Sequence, residues 1–380
     1  MMRRGVVLLA AALLLSACSS DKNVREPAEL KDIVNPALKL QKRWSASAGE
    51  GSGKYEGNLG LALAADAVFA ADVDGRVYAF DPANGRRVWR AATSARVISG
   101  PTVSGAAVFV GTMDGELVAL SRANGEQLWR TTLSSELLAP AVSDGTIVVA
   151  RAGDGRTYGL SAVSGARVWT HSATVPNLTL RGLSAPLLLG GRAFIGLDNG
   201  RLVSLRVSDG QPAWEQAVTS ATGRNELERL IDVDAALTAD GPEIYAVSFG
   251  GELVCFDGET GQPLWRRPVK SYSGIVVAGE LVVVTDEAGV IWALDSNTGA
   301  AVWKNEDLQY RRLSAPAVFK DRIVVGDFEG YTHWLDPKDG RLVARIRAGS
   351  DPIKVAPLAG DDSLYVLNAA GRITALGVRE

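Results

Sequence analysis

DGRVYAFDPANGRRVW (Asp74–Trp89), DGELVALSRANGEQLW (Asp114–Trp129) and DGRTYGLSAVSGARVW (Asp154–Trp169) are three copies of one pattern. NGRLVSLRVSDGQPAW (Asn199–Trp214), GGELVCFDGETGQPLW (Gly250–Trp265) and AGVIWALDSNTGAAVW (Ala288–Trp303) repeat it. EGYTHWLDPKDGRLVA (Glu329–Ala344) keeps everything except the last aromatic, and AGRITALGV (Ala370–Val378) stops halfway. The closing tryptophans follow one another at intervals of 40, 40, 45, 51 and 38 residues. A period of this length marks an array of like supersecondary units, each burying its apolar faces against its neighbours.

Within a unit, a β-rich run such as Ala107–Gly111 leads into a turn at Asp114–Gly115, the strongest short-range hairpin signal. A second apolar run (Leu117–Leu120), a turn with Asn124–Gly125 and a run ending on Trp129 follow. A further short segment lies upstream and often carries proline: Pro101, Pro140, Pro186, Pro316, Pro357. Proline fits an edge or first-strand position, where no ladder donor is lost. Four short antiparallel strands per unit is the expected count. Runs apolar at successive positions, such as Val77-Tyr78-Ala79-Phe80, are expected to be covered on both faces, as in radially stacked blades. An indole buries roughly 150–250 Å², about 4–6 kcal/mol as an upper bound, and each Trp beside a turn glycine is expected to dock across the seam between blades.

The halved eighth unit leaves an open edge that invites unwanted pairing. LKLQKRW (Leu38–Trp44) ends on a tryptophan 45 residues before Trp89 and can supply the missing outer strand beside Arg372–Val378. The expected fold is therefore all-β: an eight-bladed β-propeller of four-stranded antiparallel blades over residues 37–380, closed by an N-terminal strand. Its structural docks are Trp44, Trp89, Trp129, Trp169, Trp214, Trp265 and Trp303.

The chain opens MMRRGVVLLAAALLLSAC. Two arginines and a short apolar run have the flanks of a secretory signal and too little length for a membrane span. The small residues running into Cys18 resemble a bacterial lipobox. That resemblance implies a signal peptide over 1–17 and lipidation of Cys18; an ordinary signal peptide with a chance cysteine is the alternative. Ser19 at the next position, by family analogy, implies the outer membrane, periplasmic side. Residues 18–36, polar and carrying Pro27 and Pro36, read as a lipidated tether that reaches roughly 60 Å when extended. Without residues 1–17 the chain has 38 basic and 43 acidic residues, net −5, no footprint for nucleic acid. Cys255, within Leu253-Val254-Cys255-Phe256, reads as a small buried hydrophobe, so no disulfide framework exists.

Little in the chain points to catalysis. The two histidines, His171 and His333, lie in different units without metal-ligand spacing, and HExxH, CxxC and GxSxG motifs are missing. A Ser-His-Asp site is not excluded by sequence, but nothing indicates one. His171 reads as a solvated residue past a strand end, His333 as core or channel lining. Acids recurring with the repeat (Asp74, Asp114, Asp154, Asp81, Asp295, Asp336) read as turn-makers. No catalytic residue, metal ligand or cofactor is expected.

The core A-x-D-x-x-x-G-x-x-x-W, as in Ala79–Trp89 and Ala293–Trp303, resembles the tryptophan-docking repeat of pyrroloquinoline-quinone (PQQ) dehydrogenase propellers. Those enzymes are longer and carry a vicinal Cys pair and a Ca²⁺-cofactor constellation that this sequence lacks, so the likeness is one of fold. Lipobox, tether and eight PQQ-like blades together resemble the BamB-type lipoproteins, the propeller subunits of the outer-membrane β-barrel assembly machinery. Asn177-Leu178-Thr179-Leu180-Arg181-Gly182 and Arg229-Leu230-Ile231-Asp232-Val233-Asp234 resemble that family's BamA-binding segments. The resemblance implies that Leu178, Leu180, Arg181, Asp232 and Asp234 contact the periplasmic POTRA domains of BamA. Ala344 departs from the Trp pattern, which touches blade packing more than function.

Repeat lengths point the same way. The two longest intervals place their extra residues in Thr174–Leu183 and Ala217–Ala236, on neighbouring blades, where Leu178, Leu180 and Leu183 form an unusual apolar cluster for an idle loop. Glu226–Ile231 reads as an added helical turn. The bland alternative is tolerated loop length with the leucines folded inward. Ser47–Asn58, Gly-rich and polar, reads as flexible filler. The expected function is a non-enzymatic scaffold docking BamA in the assembly of outer-membrane proteins. Direct binding of unfolded client chains by strand addition at an outer blade edge has only weak support. The competing readings are a small periplasmic quinoprotein dehydrogenase and a generic periplasmic binding propeller.

Overall fold

The computed structural model describes residues 25–53, 57–176, 184–219, 232–233, 235–249, 251–271 and 273–379. Within them lie eight sheets, each running from an inner strand at the axis to an outer strand at the rim. Seven blades follow chain order over residues 61–92, 97–132, 142–172, 187–217, 238–268, 275–305 and 317–347. The eighth joins three strands of 358–379 to an outer strand, Lys39–Ser47, from the other end of the chain. This outer strand runs antiparallel to Arg372–Arg379, with Trp44 opposite Ala375. The all-β propeller and its N-terminal closure are as the repeat implies.

Coverage on both faces is visible in the third strand of the first blade, where Val77, Tyr78, Ala79 and Phe80 are all buried. The recurring acids make the turns: the Asp81 carboxylate accepts from the Ala83 N–H at 2.8 Å, Asp295 from Thr298 at 2.8 Å and Asp336 from Lys338 at 3.0 Å.

The tryptophans staple each blade to the next. Their indole N–H groups donate to backbone carbonyls of the following blade: Trp44 to Pro82 at 2.9 Å, Trp89 to Arg122 at 2.9 Å, Trp129 to Ala162 at 2.9 Å and Trp169 to Val207 at 2.7 Å. Trp214 reaches Gly258 at 3.1 Å, Trp265 reaches Ser296 at 2.7 Å and Trp303 reaches Pro337 at 2.8 Å. Each ring lies on the turn glycine of that following blade. A Cβ on Gly299, for example, would stand 2.5 Å from Trp265 Cε3. Glycine there meets two demands, a left-handed φ of 68° and room for the ring.

The seventh blade inverts the pairing. Elsewhere a small residue of the third strand faces the tryptophan, as in Ala79–Trp89, Gly159–Trp169 and Cys255–Trp265. In the seventh, Trp334 stands on the third strand opposite Ala344. The reason lies one blade on. The eighth blade takes its outer strand from the N-terminus, so it has no turn between third and outer strands for an indole to dock on. Trp334 fills the volume from the other side of the pair, fully buried and 5.9 Å from Phe319.

Two segments are more ordered than their composition suggests. Residues 48–53 and 57–60 follow the ring closure inward: the Ala48 N–H donates to Gly371 O at 2.7 Å, Val73 to Gly51 O at 3.0 Å, and Asn58–Leu59 adds a parallel strand to the inner edge of the second blade. The described part of this loop is packing material rather than filler. Residues 25–36 of the expected tether, with Ala37, lie along the sixth and seventh blades. Ala28 donates its N–H to Gln309 O and Ala37 to Val343 O, both at 2.9 Å. Leu30 packs against a cluster containing Leu308 and Leu335.

Candidate partner-binding face

Antiparallel order within every blade divides the turns between two faces. Turns joining first to second and third to outer strands, including the tryptophan docks, lie on one. The connections from each outer strand to the next blade lie on the other, hereafter the connection face. Thr174–Leu183 and Ala217–Ala236 are both connections, from the third blade to the fourth and from the fourth to the fifth, so their described ends leave and re-enter this face at neighbouring junctions. Leu178, Leu180, Arg181 and Asp234, with the expected helical turn at Glu226–Ile231, lie outside the described residues.

Both ends of the second connection are firmly held. Arg266, in the outer strand of the fifth blade, donates to Ala217 O at 2.8 Å and Val218 O at 2.9 Å, clamping the start of the second connection. Its far end is pinned at Asp232 and Val233: the Val233 N–H donates to Leu197 O at 3.3 Å, and Asp232 O accepts from Phe249 N–H at 3.1 Å. Gly196 provides the space, since a Cβ there would stand 2.7 Å from the Val233 side chain. Asp232 is only 1% exposed. The resemblance grouped it with Asp234 as a direct contact; here its backbone carbonyl helps to hold the segment between two blades.

An ion pair at the neighbouring seam was missed by sequence reasoning. Arg151 of the third blade pairs through Nη2 with Asp198 of the fourth, with side chains 5% and 6% exposed. Arg151 Nη1 is buried without a hydrogen-bond partner, as is the hydroxyl of Ser184, where the first connection ends. A signal was available: four residues before the turn glycine, other repeats carry Gly111, Gly196, Val247, Thr285 or Gly326, and only Arg151 brings a charge into that position. The pair bridges the third and fourth blades, and removing one partner of such a buried pair typically costs about 3–5 kcal/mol because the other charge is left uncompensated.

The remaining titratable groups are structural in character. His171 lies within the outer strand Arg167–Ser172, half-buried rather than beyond the strand end, and burial lowers its pKa. His333 is core, fully buried. Its Nε2 lies 2.9 Å from Asp327 Oδ2, and its Nδ1 accepts from Arg345 Nε at 3.1 Å. Burial lowers the His333 pKa, and a proton on Nδ1 would face the Arg345 donor, so the neutral ring fits. Burial alone would raise Asp327, but hydrogen bonds from His333, the Tyr331 N–H and Arg311 hold its carboxyl below the usual range. Burial pushes the Cys255 thiol up to about 12, in keeping with a small hydrophobe opposite Trp265. Among the described residues no three His, Cys, Asp or Glu side chains converge as a metal-ligand set.

Comparison with known proteins places this architecture. The family model described as outer membrane protein assembly factor BamB matches residues 73–305. A relative from Alkalilimnicola ehrlichii named outer membrane protein assembly factor BamB is 50% identical, with the alignment covering 100% of this chain and 98% of the relative. The crystal structure of BamB from Moraxella catarrhalis superposes with a TM-score of 0.82 at 28% identity, over 89% of this chain and 100% of that one. A europium-containing methanol dehydrogenase gives a TM-score of 0.73 over 90% of this chain and 93% of its own, but at 14% identity this likeness shows the fold alone.

Proposed function

Because the chain belongs to the BamB family, we propose that it is a non-enzymatic scaffold of the outer-membrane β-barrel assembly machinery, anchored by lipid on Cys18 at the periplasmic side of the outer membrane. In this reading the connections between the third, fourth and fifth blades dock a POTRA domain of BamA. Leu178 and Leu180 provide the apolar centre of the contact, and Arg181 with Asp234 provides polar register. Asp232 acts from below by seating the second connection.

One observation supports the reading: the repeat intervals of 45 and 51 residues that end on Trp214 and Trp265 fall on adjacent junctions of one face, with the Arg151–Asp198 pair bridging the third and fourth blades and the Arg266 clamp bridging the fourth and fifth. A rigid frame at the ends of the two connections loses little conformational entropy on binding. It requires no reaction centre.

Affinity capture from detergent-solubilised envelopes tests it. Arg181→Glu and Asp234→Lys are expected to lose BamA while keeping the wild-type melting temperature. Undiminished capture by both variants removes these residues from the interface. Asp232 is unsuited to charge reversal, because a buried lysine there would disturb folding. Cys18→Ala is expected to release the protein into the soluble fraction in cells lacking BamA.

A further inference from the structure

The N-terminal strap is docked on the propeller. An undocked tether would leave the propeller free to adopt any attitude. The first described residues instead hold a defined course. Arg25 donates to the Tyr310 hydroxyl at 2.6 Å, with its guanidinium 5.3 Å from the centre of that ring. Arg311 Nη1 donates to Ala28 O at 3.0 Å, and Arg345 Nη1 to Lys31 O at 3.0 Å. Arg311 is itself nearly buried and paired with Asp327 beside His333, so the strap is tied to the core of the seventh blade rather than to loose side chains.

Tyr310 and Arg311 belong to the connection between the sixth and seventh blades, on the same face as the two long connections. Arg25 is therefore held at one corner of the propeller. Seven residue steps separate it from Cys18, a span of at most about 25 Å however the backbone runs. Resting on the reading that Cys18 is lipidated, we infer that the corner of the connection face where the sixth and seventh blades meet abuts the bilayer surface. The third blade, on the far side of the wheel, points its opposite face away from it. The partner then docks on a face turned toward the membrane-proximal layer, which suits a domain carried by a membrane-embedded barrel.

The test uses the full lipidated chain in liposomes containing an acceptor-labelled lipid, with a donor fluorophore on single introduced cysteines. Ser350→Cys lies exposed on the connection face between the seventh and eighth blades, and Thr146→Cys lies exposed at a turn of the third blade on the opposite face. Cys255 is buried. Energy transfer is expected to be roughly twofold or more higher from position 350, given a leash of about 25 Å. Inserting twenty Gly-Ser residues between 24 and 25 is expected to abolish the difference, whereas the same insertion between 36 and 37 leaves the strap docked and the leash short, and is expected to preserve it. Equal transfer from both positions of the uninserted chain, with acylated Cys18 seen by mass spectrometry, overturns the orientation while leaving the anchor intact. An unacylated Cys18 overturns both.

Discussion

If the blades are stapled by indoles seated on the next blade's turn glycine, two glycine-to-alanine changes in the sixth blade must differ. Gly279 and Gly299 both adopt left-handed backbone, with φ of 63° and 68°. An alanine at either pays the strain of that conformation, about 1–2 kcal/mol. At Gly279 a Cβ meets nothing within 4 Å; at Gly299 it stands 2.5 Å from Trp265 Cε3 and 2.8 Å from Cδ2. Restoring ordinary carbon–carbon separation of about 3.5 Å requires the ring to move by roughly 1 Å. The 2.7 Å bond from Trp265 to Ser296 O cannot survive that shift at good geometry, a loss of about 1 kcal/mol. Some of the indole burial goes with it. Gly299→Ala should therefore cost about 3–5 kcal/mol, approaching outright truncation of a buried aromatic, and Gly279→Ala about 1–2 kcal/mol. For the 330 described residues, each kcal/mol corresponds to roughly 1.4 °C in melting temperature, so shifts of about 5 °C and 2 °C are expected. Urea midpoints followed by tryptophan fluorescence supply the second readout. In a Trp265→Ala background, Gly299→Ala should cost no more than Gly279→Ala does in the parent. Equal cost at the two glycines in the parent chain refutes the stapling argument.

The buried histidine and the blade-seam ion pair give further expectations. His333 has a folded pKa below its unfolded value of about 6.5, so the unfolded chain binds more protons and stability is lost as pH falls below that value, by up to about 1.4 kcal/mol per pH unit. The melting temperature should drop between pH 7.5 and 5.5, and His333→Gln, which can still donate to Asp327 and accept from Arg345, should flatten that slope; an unchanged slope contradicts the assignment. Asp198→Asn should destabilise by about 3–5 kcal/mol by leaving Arg151 charged and buried, whereas Arg151→Met with Asp198→Leu should cost much less by thermal unfolding; equal losses would mean that an uncompensated charge is not what costs stability.

Much of the fold was legible because the repeat writes its packing into the chain. The A-x-D-x-x-x-G-x-x-x-W spacing encodes a cross-strand small residue, a turn-capping carboxylate, a left-handed glycine and a docking indole, and all four recur in space. The closing strand was legible from Trp44 falling in phase with Trp89. The meaning of Ala344 was not, because it depends on a turn that the eighth blade lacks and on Trp334, which looks unremarkable until the strands are paired. Composition misled at residues 25–37, 48–53 and 57–60: polar, Gly- and Pro-containing stretches read as solvated, yet several of their backbone groups find partners on blades distant in sequence. For the candidate face, interval lengths located the two connections, but the side-by-side charges of Arg151 and Asp198 lie 47 positions apart in the chain. Asp232 shows the limit most clearly, since exposure cannot be read from residue type: an acid in a supposed contact segment proves to be buried at its root.

The central claim is that this wheel grips its partner through the connections between the third and fifth blades. Photo-crosslinkers placed singly at Leu178, Leu180 and Arg181 in intact envelopes test it most directly. The account predicts adducts with the POTRA domains of BamA from these positions and none from Thr146 on the opposite face; adducts from Thr146 alone, or with BamA absent from every adduct, would contradict it.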